Sequence, residues 1–175
     1  MVIEGERVRL RTATRDDLPA YTRWFTDVEF RRYMGPGRDV LPALLSPPSD
    51  QANFSVETVD GRLIGLVMIT NVRTVNRSCA LGYVGIGEKD CWDQGLGTEI
   101  VKLALRYCFR ELNMHQVFIH TVEYNERARR CYGRIFPHEA RHREGEWNWQ
   151  DERFYDQVFF DILEDEFAAL EKGAE

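Results

Sequence analysis

The feature that most constrains this sequence is a run of glycines between a strand pattern and a long amphipathic helix. The run extends from Gly85 to Thr98, and beyond it apolar residues recur at intervals of three and four as far as Leu112. The first turn of a helix exposes unpaired N–H groups and the positive end of the helix dipole, and glycines let an anion approach both closely. The sequence therefore predicts a phosphate-bearing ligand at the entrance of this helix.

Two common phosphate-binding motifs do not fit the run. A Walker loop ends in Gly-Lys-Ser/Thr, whereas Gly97 is followed by Thr98 with no lysine. A dinucleotide-binding fingerprint needs a third glycine at the position of Ile100, and it belongs to the first strand-helix unit of its fold. An NTPase and a Rossmann domain are both disfavoured. A second interpretation stays open, in which the glycines only shape a turn.

The rest of the chain alternates between strand and helix patterns. Strand patterns occupy residues 7–11, 54–57, 63–70, 79–86, 116–122 and 154–163. Helix patterns begin at Thr14 and Thr98 and occupy residues 126–135 and 164–171. Four prolines indicate a loop over residues 35–50, with one short turn at 41–45. This order predicts an α/β or α+β fold in one domain that spans residues 1–175.

Composition and charge exclude several classes of protein. The net charge is −6 and the basic residues are scattered, so no nucleic-acid-binding surface is expected. Neither a membrane helix nor a signal peptide is indicated. The four cysteines lack CxxC spacing and the four histidines lack the spacing of metal ligands, which predicts a cytoplasmic protein without a metal site.

Residues 85–99 resemble the signature of the GNAT superfamily of acyl-CoA N-acyltransferases, Arg/Gln-x-x-Gly-x-Gly/Ala at a strand-to-helix junction. The likeness is greatest to the branch that acetylates ribosomal-protein N-termini, some polyamines and antibiotics. It continues at Leu10-Arg11, residues 16–18, residues 125–128, Tyr132 and residues 154–156. The resemblance implies a mixed, mostly antiparallel central sheet of six to seven strands, flanked by helices.

The resemblance also implies acetyl-CoA as co-substrate and a set of residues that bind it. That set is Gly85, Ile86, Gly87, Trp92, Gln94, Gly95, Leu96, Gly97, Thr98 and Asn125. Main-chain amides of the helix entrance would hold the pyrophosphate, and the strand end would pair with the pantetheine amide. Trp92 replaces the usual Arg or Gln. Asp93 departs from the family's glycine, and a carboxylate near a diphosphate is electrostatically unfavourable.

Asn125 and Tyr132 lie seven residues apart, so on a helix they project from nearly the same face. On spacing alone, Asn125 would cap the helix and Tyr132 would be a packing residue. The resemblance implies instead that Asn125 contacts coenzyme A and that Tyr132 is the general acid for its sulfur. A glycine that the family places before Phe136 is absent, which predicts a changed helix exit.

These residues predict an N-acetyltransferase that acts by direct attack of a primary amine. The acceptor stays open among a protein N-terminus, a polyamine and an aminoglycoside-like molecule, and a homodimer is compatible with the resemblance. A main-chain N–H such as that of Ile86 would stabilise the oxyanion. The general base is open among Glu57, Glu88, Glu123 and a water relay. The alternative is a non-catalytic acyl-CoA-binding regulatory domain of the same fold.

Overall fold

A computed structural model describes residues 1–35, 37 and 40–173. Eight strands form one sheet in the order β1-β2-β3-β4-β5-β6-β8-β7. The strands are β1 (Val2–Glu4), β2 (Val8–Thr12), β3 (Ala52–Thr58), β4 (Leu63–Arg73), β5 (Ser78–Ile86), β6 (Gln116–Val122), β7 (His138–Asn148) and β8 (Arg153–Leu163). Every neighbouring pair is antiparallel except β5 and β6, which run parallel.

Helices cover both faces of this sheet. They are α1 (Leu18–Thr26), α2 (Val28–Met34), α3 (Val40–Leu45), α4 (Leu96–Arg106), α5 (Glu126–Tyr132) and α6 (Glu164–Lys172). The first three pack against Leu66 and Met68 on one face. The last three pack on the other face, in a larger core that includes Leu10, Ile119 and Phe160.

The predicted mixed, mostly antiparallel sheet is confirmed, but it has eight strands where six to seven were expected. β1 has only three residues and pairs only with β2, from Val2↔Arg11 to Glu4↔Arg9, so it is too short to show a pattern in the sequence. The edge strand β7 is exposed along most of its length. Because both of its faces meet water, it lacks the alternation of apolar and polar residues by which a strand is recognised.

The helical predictions need three adjustments. The helix expected after Thr14 is divided at Asp27, whose Oδ1 accepts from the Phe30 N–H at 2.9 Å and so caps a second helix. The turn predicted at 41–45 is the helix α3. The helix predicted over 126–135 ends at Tyr132, because the N–H groups of Ile135 and Phe136 both bond the Tyr132 carbonyl at 2.9 Å in a tight turn.

Candidate active site

The parallel strands β5 and β6 separate soon after they meet. They pair only from Ser78↔Gln116 to Ala80↔Phe118, although β5 continues to Ile86 and β6 to Val122. Within the described part of the chain, no strand lies beside β5 on that side after Ala80. The sheet therefore contains a gap near its centre.

Two residues of β5 direct their main-chain polar groups into this gap. The Gly87 N–H donates to the Ile64 carbonyl at 2.8 Å, so Gly87 is hydrogen-bonded toward β4. Hydrogen-bonded and non-hydrogen-bonded residues alternate along an antiparallel pair. Val84 and Ile86, opposite Val67 and Gly65, therefore direct their N–H and C=O groups away from β4 and toward the gap.

A cavity of about 280 Å³ occupies the gap and is lined from both faces of the sheet. On one face its wall comes from α2, and on the other from α4 and α5. The lining residues are Phe30, Tyr33, Met34, Val84, Gly85, Ile86, Trp92, Asp93, Gly95, Gly97, Thr98, Val101, Asn125, Arg127, Ala128, Arg130, Cys131, Tyr132 and Arg134.

The entrance of α4 is open to this cavity because of one glycine and one glutamate. Gly95 is the N-cap residue and has φ +76°, in the left-handed region that favours glycine. Glu99, the acidic residue of the first turn, is turned away toward β2, where its Oε1 accepts from the N–H groups of Arg7 (2.9 Å) and Val8 (3.3 Å). The first turn of α4 thus faces the cavity with Gly97 and Thr98 and without its carboxylate.

Most of the site residues predicted from the sequence line the cavity, and three do not. Those in its wall are Gly85, Ile86, Trp92, Gly95, Gly97, Thr98, Asn125 and Tyr132. Gly87 packs under Trp24, whose ring would lie 2.0 Å from an added Cβ. Leu96 is buried in the core. The Gln94 side chain donates to the Asp90 carbonyl at 2.5 Å.

Tyr132 is buried and edge-on to the rings of Phe136 and Phe160, with centroids 6.1 and 5.8 Å away. No described residue accepts a hydrogen bond from its hydroxyl, although that group is in the cavity wall. Burial raises the pKa of Tyr132 well above its usual value of 10.0. The phenol therefore keeps its proton at neutral pH, so it can serve as an acid and not as a base.

Asn125 has the position that both sequence interpretations require. Its Oδ1 accepts from the Ala128 N–H at 3.2 Å, which is the capping contact of α5. It also lines the cavity. The sequence predicted a changed helix exit because the family's glycine before Phe136 is absent. In the structure α5 ends at Tyr132, and Gly133 follows it as the C-cap residue.

Sequence reasoning missed the three arginines of the cavity wall, Arg127, Arg130 and Arg134. None of the three donates a hydrogen bond to a described residue. Among the described residues, Asp93 is the only carboxylate in the wall. The wall thus carries a net positive charge of two, three arginines against one aspartate, in a chain whose net charge is −6. The cluster of arginines over residues 127–134 is a sequence signal for this charge, although the basic residues of the chain are otherwise scattered.

The α2 wall was also missed, and nothing local in the sequence indicates it. It contributes Phe30, Tyr33 and Met34 to the cavity. The helix is tied to the turn between β7 and β8 by an ion pair of Arg32 with Asp151, with a nitrogen–oxygen distance of 2.8 Å. The two partners are 119 residues apart in the chain, so their contact is visible only in the fold.

None of the three candidate bases lines the cavity. Glu57 is held by Arg9 and Arg11 with oxygen–nitrogen distances of 2.8 and 2.6 Å. Burial alone would raise its pKa, but these hydrogen bonds outweigh that effect and lower it. Glu88 accepts from the Trp24 indole at 2.8 Å, and its pKa is lowered for the same reasons. Glu123 accepts from the Asp156 N–H at 3.1 Å. Each carboxylate therefore has a structural partner.

The described residues offer neither a metal site nor a membrane span. No group of three histidine, cysteine or carboxylate side chains in residues 1–35, 37 and 40–173 could hold a metal ion. Among the helices of the same ranges, none is both long and apolar enough to cross a membrane.

Comparison with known families agrees with this geometry. A family model described as an acetyltransferase (GNAT) domain matches residues 7–135, which is well over half of the chain. This chain belongs to the GNAT acetyltransferase family. The matched segment includes the separated strands and the entrance of α4, and it ends just after Tyr132.

Two curated relatives match parts of this chain in sequence. A spermidine N(1)-acetyltransferase of Vibrio cholerae is 28% identical over 82 residues, which is 47% of this chain and 46% of that protein. YdaF of Bacillus subtilis, named as a proposed ribosomal N-acetyltransferase, is 29% identical over 109 residues, 62% of this chain and 57% of that protein. The matches thus span about half the length of these relatives.

The fold matches over nearly its full length. The crystal structure of a spermidine N-acetyltransferase from Vibrio cholerae, in complex with CoA and spermine, superposes with a TM-score of 0.80 and 22% identity. The superposition covers 94% of this chain and 99% of that one. The shared fold is GNAT-like, as the resemblance implied.

Proposed function

We propose that this chain is an acetyl-CoA-dependent N-acetyltransferase whose one domain, residues 1–175, carries the whole site. The observation that carries the proposal is the cavity at the gap between β5 and β6, which joins unpaired peptide groups, an open helix entrance and a buried phenol. Family membership agrees with it. The same cavity would admit two ligands from opposite faces of the sheet, as a direct transfer requires.

The residues present fit coenzyme A. Its diphosphate needs N–H donors and positive charge, and the wall offers the first turn of α4 and three arginines without hydrogen-bond partners. Its pantetheine amides need main-chain partners, and Val84 and Ile86 face the gap. The nearest atom to an added Cβ on Gly97 would be the Cys131 sulfur, at 3.8 Å. The space beside this glycine is therefore open, and the glycine leaves it free for the diphosphate. Asn125 supplies a further polar contact.

The hydrogen-bonding pattern of β5 supports a more specific proposal for the pantetheine contacts. Gly85 and Gly87 are hydrogen-bonded toward β4, so the pantetheine amides would pair with the N–H and C=O groups of Val84 and with the Ile86 carbonyl. The Ile86 carbonyl already accepts from the Trp92 indole at 2.7 Å, which fixes that ring at the strand end. The Ile86 N–H stays available in the gap as the predicted oxyanion donor.

When bound, acetyl-CoA supplies an acetyl group on a thioester sulfur. As the amine nitrogen bonds to the acetyl carbon and the carbon–sulfur bond breaks, the amine loses one proton and the sulfur gains one. The Tyr132 hydroxyl donates the proton to sulfur, and burial keeps it protonated until that moment. Because no candidate carboxylate lines the cavity, water accepts the proton from the amine and returns one to the Tyr132 phenolate, which restores the acid.

The acceptor is a primary amine. Protein N-termini, polyamines and aminoglycoside-like molecules are all compatible with the residues of the cavity. The relatives named for spermidine and for a ribosomal substrate support different members of that class. A panel of spermidine, an aminoglycoside and peptides with free N-termini, read by release of the CoA thiol, distinguishes them. The same panel tests the alternative of a non-catalytic binding domain, which would bind CoA and release no thiol with any amine.

The role of Tyr132 is tested by Tyr132→Phe. Loss of the acid is expected to lower turnover about 10² to 10⁴-fold, while the affinity for CoA stays within about twofold. The matched control is Tyr107→Phe. Tyr107 is edge-on to Phe54 with centroids 4.9 Å apart and is not in the cavity wall, so its loss should leave turnover unchanged. Full turnover by Tyr132→Phe would refute the assignment.

A further inference from the structure

We propose that Arg127 is a positioning residue that neutralises Asp93, and that this pair lets the chain bind a diphosphate with a carboxylate beside the entrance of α4. The inference rests on the proposed function and concerns its cofactor half. It accounts for Asp93, the carboxylate that the glycine run places in the described wall of the cavity.

Asp93 has a backbone conformation that explains why a glycine would suit its position. Its φ is +57°, in the left-handed region, where aspartate and asparagine are the best tolerated residues after glycine. Its side chain is 71% exposed, and the residue lines the cavity two positions before the N-cap Gly95. The carboxylate therefore lies at the mouth of the cavity, close to the amides that would hold the diphosphate.

Arg127 is brought to this carboxylate by aromatic stacking. Its guanidinium carbon lies 3.8 Å from the centre of the Trp92 ring and 5.6 Å from that of Tyr33. Trp92 is itself fixed by its hydrogen bond to the Ile86 carbonyl. From this position one guanidinium nitrogen lies 3.8 Å from Asp93 Oδ2. A flat guanidinium stacked on an indole is held in place without using its N–H groups.

The donors of Arg127 are consequently free for a ligand. Its side chain is 32% exposed, and no described residue accepts a hydrogen bond from it. The distance to Asp93 is too long for a hydrogen bond but short enough for the charges to cancel in part. A ligand diphosphate would then meet a neutral pair with outward N–H groups instead of a lone carboxylate.

A double-mutant cycle tests this compensation. The variants are Arg127→Gln, Asp93→Asn and the two combined, with binding measured by calorimetry. Asparagine tolerates positive φ, so Asp93→Asn removes charge and keeps the backbone. Arg127→Gln should weaken CoA binding about tenfold when Asp93 is present and no more than about threefold in the Asp93→Asn background.

The control is Arg130→Gln, which removes a positive charge from the same helix and the same cavity wall. Its effect on CoA binding should be equal with Asp93 intact and in the Asp93→Asn background. Dephospho-CoA, which keeps the diphosphate, should show the same coupling between residues 127 and 93 as CoA. Pantetheine, which lacks the diphosphate, should show none.

The outcomes separate the two proposals. If the unmodified protein takes up neither CoA nor dephospho-CoA, the proposed function fails. If it binds both and Arg127→Gln costs the same with Asp93 intact as in the Asp93→Asn background, the compensation is refuted while the function stands. Coupling that persists with pantetheine would also refute it, because the pair would then act on something other than the diphosphate.

Discussion

Two groups of arginines, one on β2 and one in the cavity wall, differ in their hydrogen-bond partners. Arg11, on the face covered by α1, bonds Asp17 at 2.5 Å and Glu57 at 2.6 Å, and all three are largely buried. The arginines of the cavity wall bond no described acceptor. A charge whose partners lie within the fold stabilises the fold, because removing either partner leaves the other buried alone. A charge without a hydrogen-bond partner in the fold keeps its N–H donors available to a ligand.

Arg11 belongs to an extended hydrogen-bonded cluster around Asp17. Ser55 donates to Asp17 Oδ2 at 2.6 Å, and the Tyr21 hydroxyl lies 2.7 Å from the Ser55 hydroxyl. The Thr14 N–H reaches the same Asp17 oxygen at 2.8 Å, which joins the cluster to the start of α1. The contrast between the two groups therefore predicts opposite responses to substitution.

The largest effect is expected from Asp17→Asn. It leaves Arg11 with one charged partner in a buried site, so the free energy of unfolding in urea should fall by about 3 kcal/mol. Folded molecules of this variant should bind CoA with unchanged affinity. Asp93→Asn is the control, and it should change stability by less than about 0.5 kcal/mol, because that side chain is exposed. Equal stability of the two variants would contradict the claim that the charges around Arg11 stabilise the fold and those of the cavity wall do not.

The pH dependence of stability gives a somewhat smaller effect. Burial alone would raise the pKa of Asp17, but hydrogen bonds from Arg11, Ser55 and Thr14 outweigh it and lower the pKa from 3.8 to about 2. Because the folded pKa is depressed, this stability is present above pH 4 and is lost as the pH falls toward 2. The free energy of unfolding in urea should decline over that window, by about 2 kcal/mol for this group. Asp17→Asn should decline less steeply, and parallel curves would contradict the assignment.

The smallest effect concerns the second group. Arg130→Gln and Arg134→Gln together should lower the affinity for CoA by about tenfold, and the loss should shrink at high salt because both side chains are exposed. Thermal unfolding of the ligand-free protein should be unchanged. A loss of stability comparable with that of Asp17→Asn would show that these arginines also serve the fold.

The features that the sequence predicts are those with local causes, and most of the features that it does not predict depend on contacts between distant segments. Periodicity and glycine placement are local features of a sequence. They predict the strands β2 to β6, the entrance of α4 and the seven-residue spacing that brings Asn125 and Tyr132 to one helix. The ion pair of Arg32 with Asp151 and the packing of Phe30 against Gly85 join segments that are distant in the chain. Such contacts leave no pattern in one sequence. Most of β7 was not predicted, for a third reason: solvent on both faces removes its alternation, which only Trp147 and Trp149, at and just after its end, show.

The opening in the sheet has a consequence for how such a chain can diverge. The peptide groups of Val84 and Ile86 are the same whatever side chains those positions carry. A ligand recognised through them tolerates substitution at both residues, provided that the backbone keeps its course. Mutations can therefore accumulate along this strand without loss of the contact, which agrees with a fold match of TM-score 0.80 at only 22% identity.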